Sequence, residues 1–210
     1  KGNVKAAPIK NIPLQLPFNS KAFTPENFGY TVSFDKKGNS FAAELIGDKV
    51  TCDNITFSIA DHENKNVIKC KGDTIQLPKE AAGKKLYILA ASTDKDRKST
   101  FLVNGKSHEF EIPYYSGFYG QWGHKGVSDG YIRNASLAYI GSHRHTEKGN
   151  DTYIYTYMYK LGIELPQEAH TLVLPKDENI AVFAITLSDN YIDDISTANE
   201  MRTLPLEVSK

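Results

Sequence analysis

The sequence has few of the features that mark several large classes of protein. Lysine plus arginine equals aspartate plus glutamate, 25 against 25, so the 210-residue chain has no net charge and lacks the basic surface of a nucleic-acid-binding protein. No apolar run approaches the roughly 18 residues that a membrane-spanning helix needs. Residues 1–10 lack the hydrophobic core of a signal peptide, and the missing initiator methionine indicates a processed or excised piece. We expect neither a nucleic-acid partner nor a membrane span.

Cysteine is scarce as well. Only Cys52 and Cys70 are present, on neighbouring predicted strands. A disulfide would require their side chains to face each other at short range, which the sequence leaves open. Because a chain of this size does not need a disulfide to be stable, two small buried apolar side chains are the favoured interpretation, and a metal site at the cysteines is less favoured still.

Recognisable catalytic motifs are missing. The chain has no Gly-rich phosphate loop, no nucleophile elbow and no cysteine–histidine motif. Residues 35–39 resemble a calcium-binding loop only superficially, because two lysines replace the anionic oxygens that the ion requires. Carboxylates suited to glycoside hydrolysis are present, but no pair has an identifiable spacing: Glu44, Asp94, Asp96, Glu109 and Asp129. An independent glycosidase is therefore the least favoured interpretation.

Alternation of polar and apolar residues with a period of two dominates the sequence and predicts half-buried β-strands. Residues 30–34, 54–59 and 108–112 show this alternation clearly. Two denser runs, residues 86–91 and 180–185, are apolar on both faces, as is typical of central strands in a two-layer sandwich. No helix of convincing length is predicted.

The turns and strands together predict the fold class. Asn104-Gly105 predicts a β-hairpin, because both residues tolerate the positive φ of a type I′ turn. We expect one all-β domain, an antiparallel β-sandwich of the jelly-roll type, whose first and last strands pair. The predicted division is a leader or linker (1–9), the sandwich (10–190) and a C-terminal tail (191–210).

The region from residue 142 to residue 159 is the most informative part of the sequence. It contains His143-Arg144-His145 and then tyrosines at positions 153, 155, 157 and 159. Aromatic rings stack on the apolar face of a pyranose, and histidine and arginine supply directional hydrogen bonds. For the tyrosine ladder, however, packing in the core is the favoured alternative. The candidate residues for contact with carbohydrate or with another domain are Trp122, His124, His143, Arg144, His145 and Tyr153.

A metal site at the two histidines is a less favoured hypothesis. His143 and His145 lie on the same face if their segment is a strand, and two imidazoles on one face suit a zinc ion. No third ligand is present locally, so only long-range folding would supply one, from His124 or Asp151. We therefore predict a polar contact here and no metal.

Four passages carry a resemblance to a known family: residues 71–78, 85–94, 115–122 and 142–145. Through them the chain resembles the C-terminal β-sandwich region of large bacterial α-mannosidases of glycoside hydrolase family 38, over roughly residues 10 to 190. Residues 155–165, 172–175 and 179–184 are also similar to galactose-binding-like jelly-roll domains appended to other glycosidases.

The resemblance implies a noncatalytic domain of a larger enzyme that hydrolyses α-mannosidic bonds by a retaining mechanism. The family's nucleophile and zinc ligands belong to an upstream catalytic domain, so none is assigned to this chain, and we expect no cofactor here. The implied partners are that catalytic domain and a mannose-containing glycan, and the implied location is the bacterial periplasm or the cell exterior. The alternative is a purely structural interdomain module that binds no sugar.

Overall fold

The computed structural model of the chain describes residues 9–26, 32–121, 131–133 and 135–189. Within these ranges the chain forms sixteen β-strands and two single-turn 3-10 helices, Ala43–Leu45 and Lys79–Ala81. The strands confirm the predicted all-β class. They are β1 (Asn11–Pro13), β2 (Phe23–Thr24), β3 (Ser40–Ala42), β4 (Lys49–Cys52), β5 (Ile55–Ser58), β6 (Ile68–Lys69), β7 (Thr74–Gln76), β8 (Lys85–Ser92), β9 (Arg97–Val103), β10 (Lys106–Ile112), β11 (Gly120–Gln121), β12 (Tyr131–Ile132), β13 (Ser136–Thr146), β14 (Gly149–Glu164), β15 (Thr171–Val173) and β16 (Ile180–Ser188).

These strands form two sheets and two short two-stranded ribbons. The larger sheet has the order β1-β16-β8-β14-β13-β3-β2, and β6 also pairs with β16. Its neighbours are antiparallel except β2 and β3, which are parallel. The second sheet has the order β10-β9-β15-β7, while β4 pairs with β5 and β11 with β12. Since β1 pairs with β16, the predicted pairing of the first and last strands holds for the part of the chain that is described.

The central strands of the larger sheet, β8 and β16, are buried on both faces. Along β8, successive side chains alternate between two apolar cores, with Leu86, Ile88 and Ala90 in one and Tyr87, Leu89 and Ala91 in the other. Every residue of β8 and β16 is buried, as the doubly apolar runs predicted. A strand that is apolar on both faces needs a layer on each side of its sheet.

Different elements cover the two faces. The second sheet supplies Phe101 and Leu172 to the core that contains Leu86. The opposite core is aromatic and includes Phe41 of β3 and Phe57 of β5. The packing of the second sheet on the larger one agrees with the predicted β-sandwich, and the β4–β5 ribbon adds cover on the other face of the larger sheet.

The predicted hairpin is confirmed. Asn104 and Gly105 connect β9 to β10 with φ angles of 48° and 82°. Both angles lie in the left-handed region that the type I′ turn requires. The Asn104 side chain also donates to the backbone carbonyl of Glu168 at 2.6 Å, so the turn is held against the segment that precedes β15.

The cysteines do not form a disulfide. Cys70 is fully buried in the core that contains Leu86. Its burial raises the pKa of the thiol well above the ordinary value, which keeps the group neutral and unreactive. Cys52 is only partly buried, and its thiol lies 3.5 Å from the backbone carbonyl of Leu137. Cys70 thus matches the favoured interpretation fully, and Cys52 matches it in part.

Lys69 on β6 leads to a testable pH dependence. Its ammonium group donates to the backbone carbonyl of Phe34 and lies 4.1 Å from the centroid of the Phe34 ring. Burial lowers the pKa of Lys69 from 10.5 to about 8, against the opposing attraction of Asp35. Below the folded-state pKa, the folded chain buries a charged amine. As the pH rises toward the unfolded-state pKa, the folded chain loses this proton first, so the group contributes increasing stability.

We expect the free energy of unfolding of the wild type, relative to that of Lys69→Met, to rise by about 1 kcal/mol between roughly pH 7 and pH 9. Urea unfolding at several pH values measures the difference. The buried cysteine and tyrosines titrate in both proteins, so the comparison isolates Lys69. A difference that stays constant across the range would contradict the depressed pKa.

Candidate functional site

The β13–β14 hairpin carries the polar residues singled out from the sequence. His143 pairs with Thr152, Arg144 with Asp151 and His145 with Asn150 across the two strands. On its other side, β13 pairs with β3, where His145 is opposite Ser40. Because side chains alternate along a strand, the two histidines share one face and Arg144 points to the other. His143, Arg144 and His145 therefore do not form a single surface.

The two histidines converge on one carboxylate. His143 Nε2 lies 2.9 Å and His145 Nε2 lies 3.0 Å from the same oxygen, Oε1 of Glu44. Glu44 lies in the 3-10 turn directly after β3, and the pairing of β3 with β13 brings this turn over the histidines. We call Glu44, His143 and His145 the histidine–glutamate cluster.

A hydroxyl group lies next to the Nδ1 atom of each imidazole. His145 Nδ1 lies 3.0 Å from Thr24 Oγ1, and His143 Nδ1 lies 3.3 Å from Ser142 Oγ. Thr24 in turn forms a short hydrogen bond with Ser40, and both residues are buried. In a neutral imidazole that donates from Nδ1 to the hydroxyl, Nε2 keeps a lone pair for an ion. In the other tautomer, Nε2–H donates to Glu44 and the hydroxyl donates to Nδ1.

Arg144 belongs to a different group. Its Nε and Nη2 atoms lie 2.8 and 2.7 Å from Oδ2 of Asp151. The Asp151 carboxylate favours the charged guanidinium and opposes the effect of burial, and the pKa of Arg144 lies above its ordinary value. Because Asp151 is occupied in this pair, it does not supply the third donor beside the histidines that the sequence analysis considered, and Glu44 takes that position.

A large irregular bulge in β14 interrupts the hairpin next to the cluster. Gly141 pairs with Thr156 and His143 with Thr152, so the single residue Ser142 is opposite the three residues 153–155. Tyr153 has a φ of 63°, which is rare for a bulky residue, and its side chain is 82% exposed. The bulge therefore holds an aromatic ring out into the solvent.

The four tyrosines consequently divide into two pairs. Tyr157 and Tyr159 are buried, as the favoured core interpretation predicted. Tyr153 and Tyr155 are exposed, which that interpretation did not predict. The bulge causes the difference, because it breaks the alternation of side chains within β14.

Other exposed apolar side chains lie beside the bulge. The segment before Phe118 packs along it, since Gly117 N donates to the carbonyl of Tyr155 at 3.1 Å. Six large apolar side chains are exposed in the described ranges, and four of them belong to this region. We call these four the bulge patch: Phe118, Ile140, Tyr153 and Tyr155.

A cleft of about 800 Å³ lies between the turn at residues 35–39 and the tip of the β13–β14 hairpin. Its lining includes Lys36, Lys37 and Lys148, together with Glu147. The excess of lysines makes the cleft unsuitable for a cation. It also agrees with the interpretation of residues 35–39 as a turn and not as a calcium loop.

Within the described residues, the carboxylates named as possible glycosidase groups have different surroundings. The Arg97 guanidinium binds Asp94 through Nε at 2.7 Å and Nη2 at 2.6 Å and lowers the pKa of that carboxyl to about 2. Asp96 accepts a hydrogen bond from the Tyr114 backbone amide at 2.7 Å, and Glu109 is exposed on β10. A general acid needs a raised pKa, so Asp94 is unsuited to that role.

The remaining predicted site residues have separate outcomes. Trp122, His124 and Asp129 lie outside the described residues, as does the tail at 191–210. Sequence analysis considered Glu44 only as a catalytic carboxylate and missed its contact with the histidines, which are 99 and 101 residues away along the chain. It also missed Phe118 and Ile140. No local pattern in the sequence signals the contact of Glu44 with the histidines or the exposure of Phe118 and Ile140, because these features depend on strand register.

Fold and site together define a β-sandwich domain that carries a histidine–glutamate cluster beside an exposed aromatic surface. The family model of the AziU2-like beta-sandwich domain matches residues 10–191. The chain therefore belongs to this family. A comparison with curated proteins finds no match. Within the described ranges, no helix is long and apolar enough to cross a membrane.

Proposed function

We propose that this chain is a noncatalytic accessory domain of an α-mannosidase-like glycoside hydrolase, and that its bulge patch contacts a mannose-containing glycan. The relation to α-mannosidases rests on the resemblance of four sequence passages, since the family match concerns the β-sandwich alone. The parent enzyme would carry its own zinc in the catalytic domain and act in the bacterial periplasm or outside the cell.

The exposed tyrosines of the bulge are the observation that carries this proposal. Tyr153 is 82% and Tyr155 is 40% exposed on a bulge whose backbone is unusual for a tyrosine. An exposed aromatic ring on a constrained backbone offers an apolar face for a pyranose at low entropic cost. The exposed Ser142, which lies opposite the bulge, supplies a hydroxyl group for hydrogen bonds with the sugar.

The arrangement of the carboxylates supports a noncatalytic role. Glycosidases place two carboxyl groups on either side of the scissile bond, about 5–9.5 Å apart. Here Asp94 is bound to Arg97, while Glu44 is bound to two histidines. The hydrolytic step would then belong to another domain of the parent protein.

The sugar proposal predicts saturable binding that depends on the ring at position 153. We expect isothermal titration to detect binding of α-mannobiose by the wild type, and about tenfold weaker binding by Tyr153→Ala, because the stacking face is lost. Tyr153→Phe retains the ring and should retain most of the affinity. Galactose serves as the comparison sugar, and Leu45→Ala removes an exposed apolar side chain outside the bulge patch.

A purely structural interdomain module is the second candidate. Ile140 is 56% exposed in the bulge patch, and an aliphatic side chain fits a protein surface better than a sugar ring. In that case the patch would pack against the catalytic domain of the same parent chain. Absence of heat with every sugar, from a protein shown by circular dichroism to be folded, would contradict the sugar proposal and favour this one.

A further inference from the structure

We propose that Glu44, His143 and His145 form a binding site for a divalent transition-metal ion of the Zn²⁺ class. The side-chain donor atoms of these three residues all lie within 4.8 Å of one another. Metal binding at this cluster does not require sugar binding, although Ser142 borders both sites. It is also separate from the zinc that the α-mannosidase resemblance implies, whose ligands belong to a different domain.

The donor set suits zinc and its neighbours. Zn²⁺ accepts imidazole nitrogen at about 2.0–2.1 Å and carboxylate oxygen at about 2.0–2.2 Å, in tetrahedral geometry. Two donors bound to one tetrahedral ion are then about 3.3 Å apart. Oε1 of Glu44 lies 2.9 Å from Nε2 of His143 and 3.0 Å from Nε2 of His145, so small side-chain shifts place an ion between them.

The surrounding hydrogen bonds prepare both histidines as ligands. A zinc-bound histidine usually donates its other N–H to an acceptor, which fixes its tautomer and orientation. Thr24 Oγ1 lies 3.0 Å from Nδ1 of His145, and Ser142 Oγ lies 3.3 Å from Nδ1 of His143. Both Nε2 atoms are then available to the ion. The Thr24 hydroxyl is itself held by Ser40, so the His145 side has a second supporting layer.

The site is buried on the His145 side and open to solvent on the Glu44 side. The side chain of His145 is 5% exposed, that of His143 is 14% exposed and that of Glu44 is 30% exposed. Three protein donors with access from the Glu44 side leave a fourth tetrahedral position for water or for an oxygen of a bound molecule. Structural zinc sites are closed by four protein ligands, so this site is of the open type.

The same geometry also describes a carboxylate that accepts hydrogen bonds from two imidazoles. A measurement of metal binding separates the two explanations, and Glu44→Gln is the variant on which to make it. Glutamine keeps the shape of the side chain and one oxygen acceptor for the histidines, but an amide is a poor ligand for Zn²⁺. The hydrogen-bonded arrangement survives this change, whereas an ion-binding site does not.

The test is titration of the chain with Zn²⁺ in competition with a colorimetric chelator, after removal of any purification tag that contains histidine. We expect one equivalent of Zn²⁺ per chain in the wild type and at least tenfold weaker binding in Glu44→Gln and in His143→Asn. His170→Asn changes an exposed histidine elsewhere and should bind as the wild type does. Circular dichroism without metal checks that each variant is folded.

A second measurement needs no variant. Co²⁺ replaces Zn²⁺ in such sites, and its visible absorption bands are intense when nitrogen and oxygen donors surround it tetrahedrally. We expect these bands on addition of Co²⁺ to the wild type and their loss on addition of Zn²⁺. No saturable Zn²⁺ binding, equal affinity in the wild type and Glu44→Gln, or a Co²⁺ spectrum like that of the free ion would each overturn the proposal.

Discussion

Replacing Phe41 by alanine is expected to lower the free energy of unfolding by about 3–5 kcal/mol. Phe41 is fully buried on β3, at the centre of the aromatic core. Truncation removes its apolar contacts and leaves a cavity, because surrounding rings cannot collapse fully into the space. The ring centroids within 6.4 Å of its own are those of Phe23, Phe34, Tyr115, Tyr139 and Phe183.

Urea unfolding followed by circular dichroism measures this effect, and the dependence on urea concentration should stay unchanged while the midpoint falls. Phe118→Ala is the matched control, because the Phe118 ring is 63% exposed. Its removal should change stability by less than about 0.5 kcal/mol. A loss below about 1 kcal/mol for Phe41→Ala would be incompatible with a tightly packed aromatic core.

The second large effect concerns Asp35. Asp35→Ala is expected to reduce the free energy of unfolding by about 3 kcal/mol or more, since it removes the acceptor of several buried hydrogen bonds. Oδ1 accepts from the backbone amides of Lys37 and Asn39, both at 2.9 Å. Oδ2 accepts from Asn39 Nδ2 at 2.8 Å and from the Tyr115 hydroxyl at 2.9 Å. Tyr115 is fully buried, so its hydroxyl cannot turn to water instead.

Asp61→Ala provides the control for this change. Asp61 makes a similar local turn, accepting from the Glu63 backbone amide at 3.1 Å and from Asn64 Nδ2 at 2.8 Å, but it is exposed. Water replaces its hydrogen bonds, and we expect a loss below about 1 kcal/mol. Equal losses in the two variants would show that the buried network around Asp35 contributes nothing beyond an ordinary turn.

Both residues also support the candidate site. Phe41 pairs directly with Arg144 across β3 and β13. The turn that begins at Asp35 forms one wall of the lysine-lined cleft. Sugar and metal titrations on Phe41→Ala would therefore report loss of the scaffold and not the chemistry of the site. For this reason the functional tests use surface substitutions such as Tyr153→Ala and Glu44→Gln.

Local patterns predicted the strands well. The runs at 86–91 and 180–185 are the centres of β8 and β16, and the Asn104-Gly105 turn has the expected backbone angles. These features depend on residues that are neighbours in the chain, so a short window of sequence contains the information. The parallel pairing of β2 with β3 has no such local signal.

The candidate site was predictable only in part. Placing His143 and His145 on one face follows from the alternation of a strand, and this prediction is confirmed. The same alternation turns Arg144 away from the histidines. The prediction of one common surface for all three residues did not take this into account. The exposed position of Tyr153 follows from a bulge, and nothing in its neighbouring residues marks the bulge.

Local patterns of residues are enough to predict the all-β class, the central strands, the hairpin at Asn104-Gly105 and the shared face of the two histidines. Three features come from folding over long distances in the chain: Glu44 meets those histidines, Asp151 binds Arg144, and Tyr153 and Tyr155 leave the core. Side-chain periodicity is a local property of the backbone. Contacts between strands instead depend on register, which is set by packing across the whole sheet and shifts wherever a bulge is inserted.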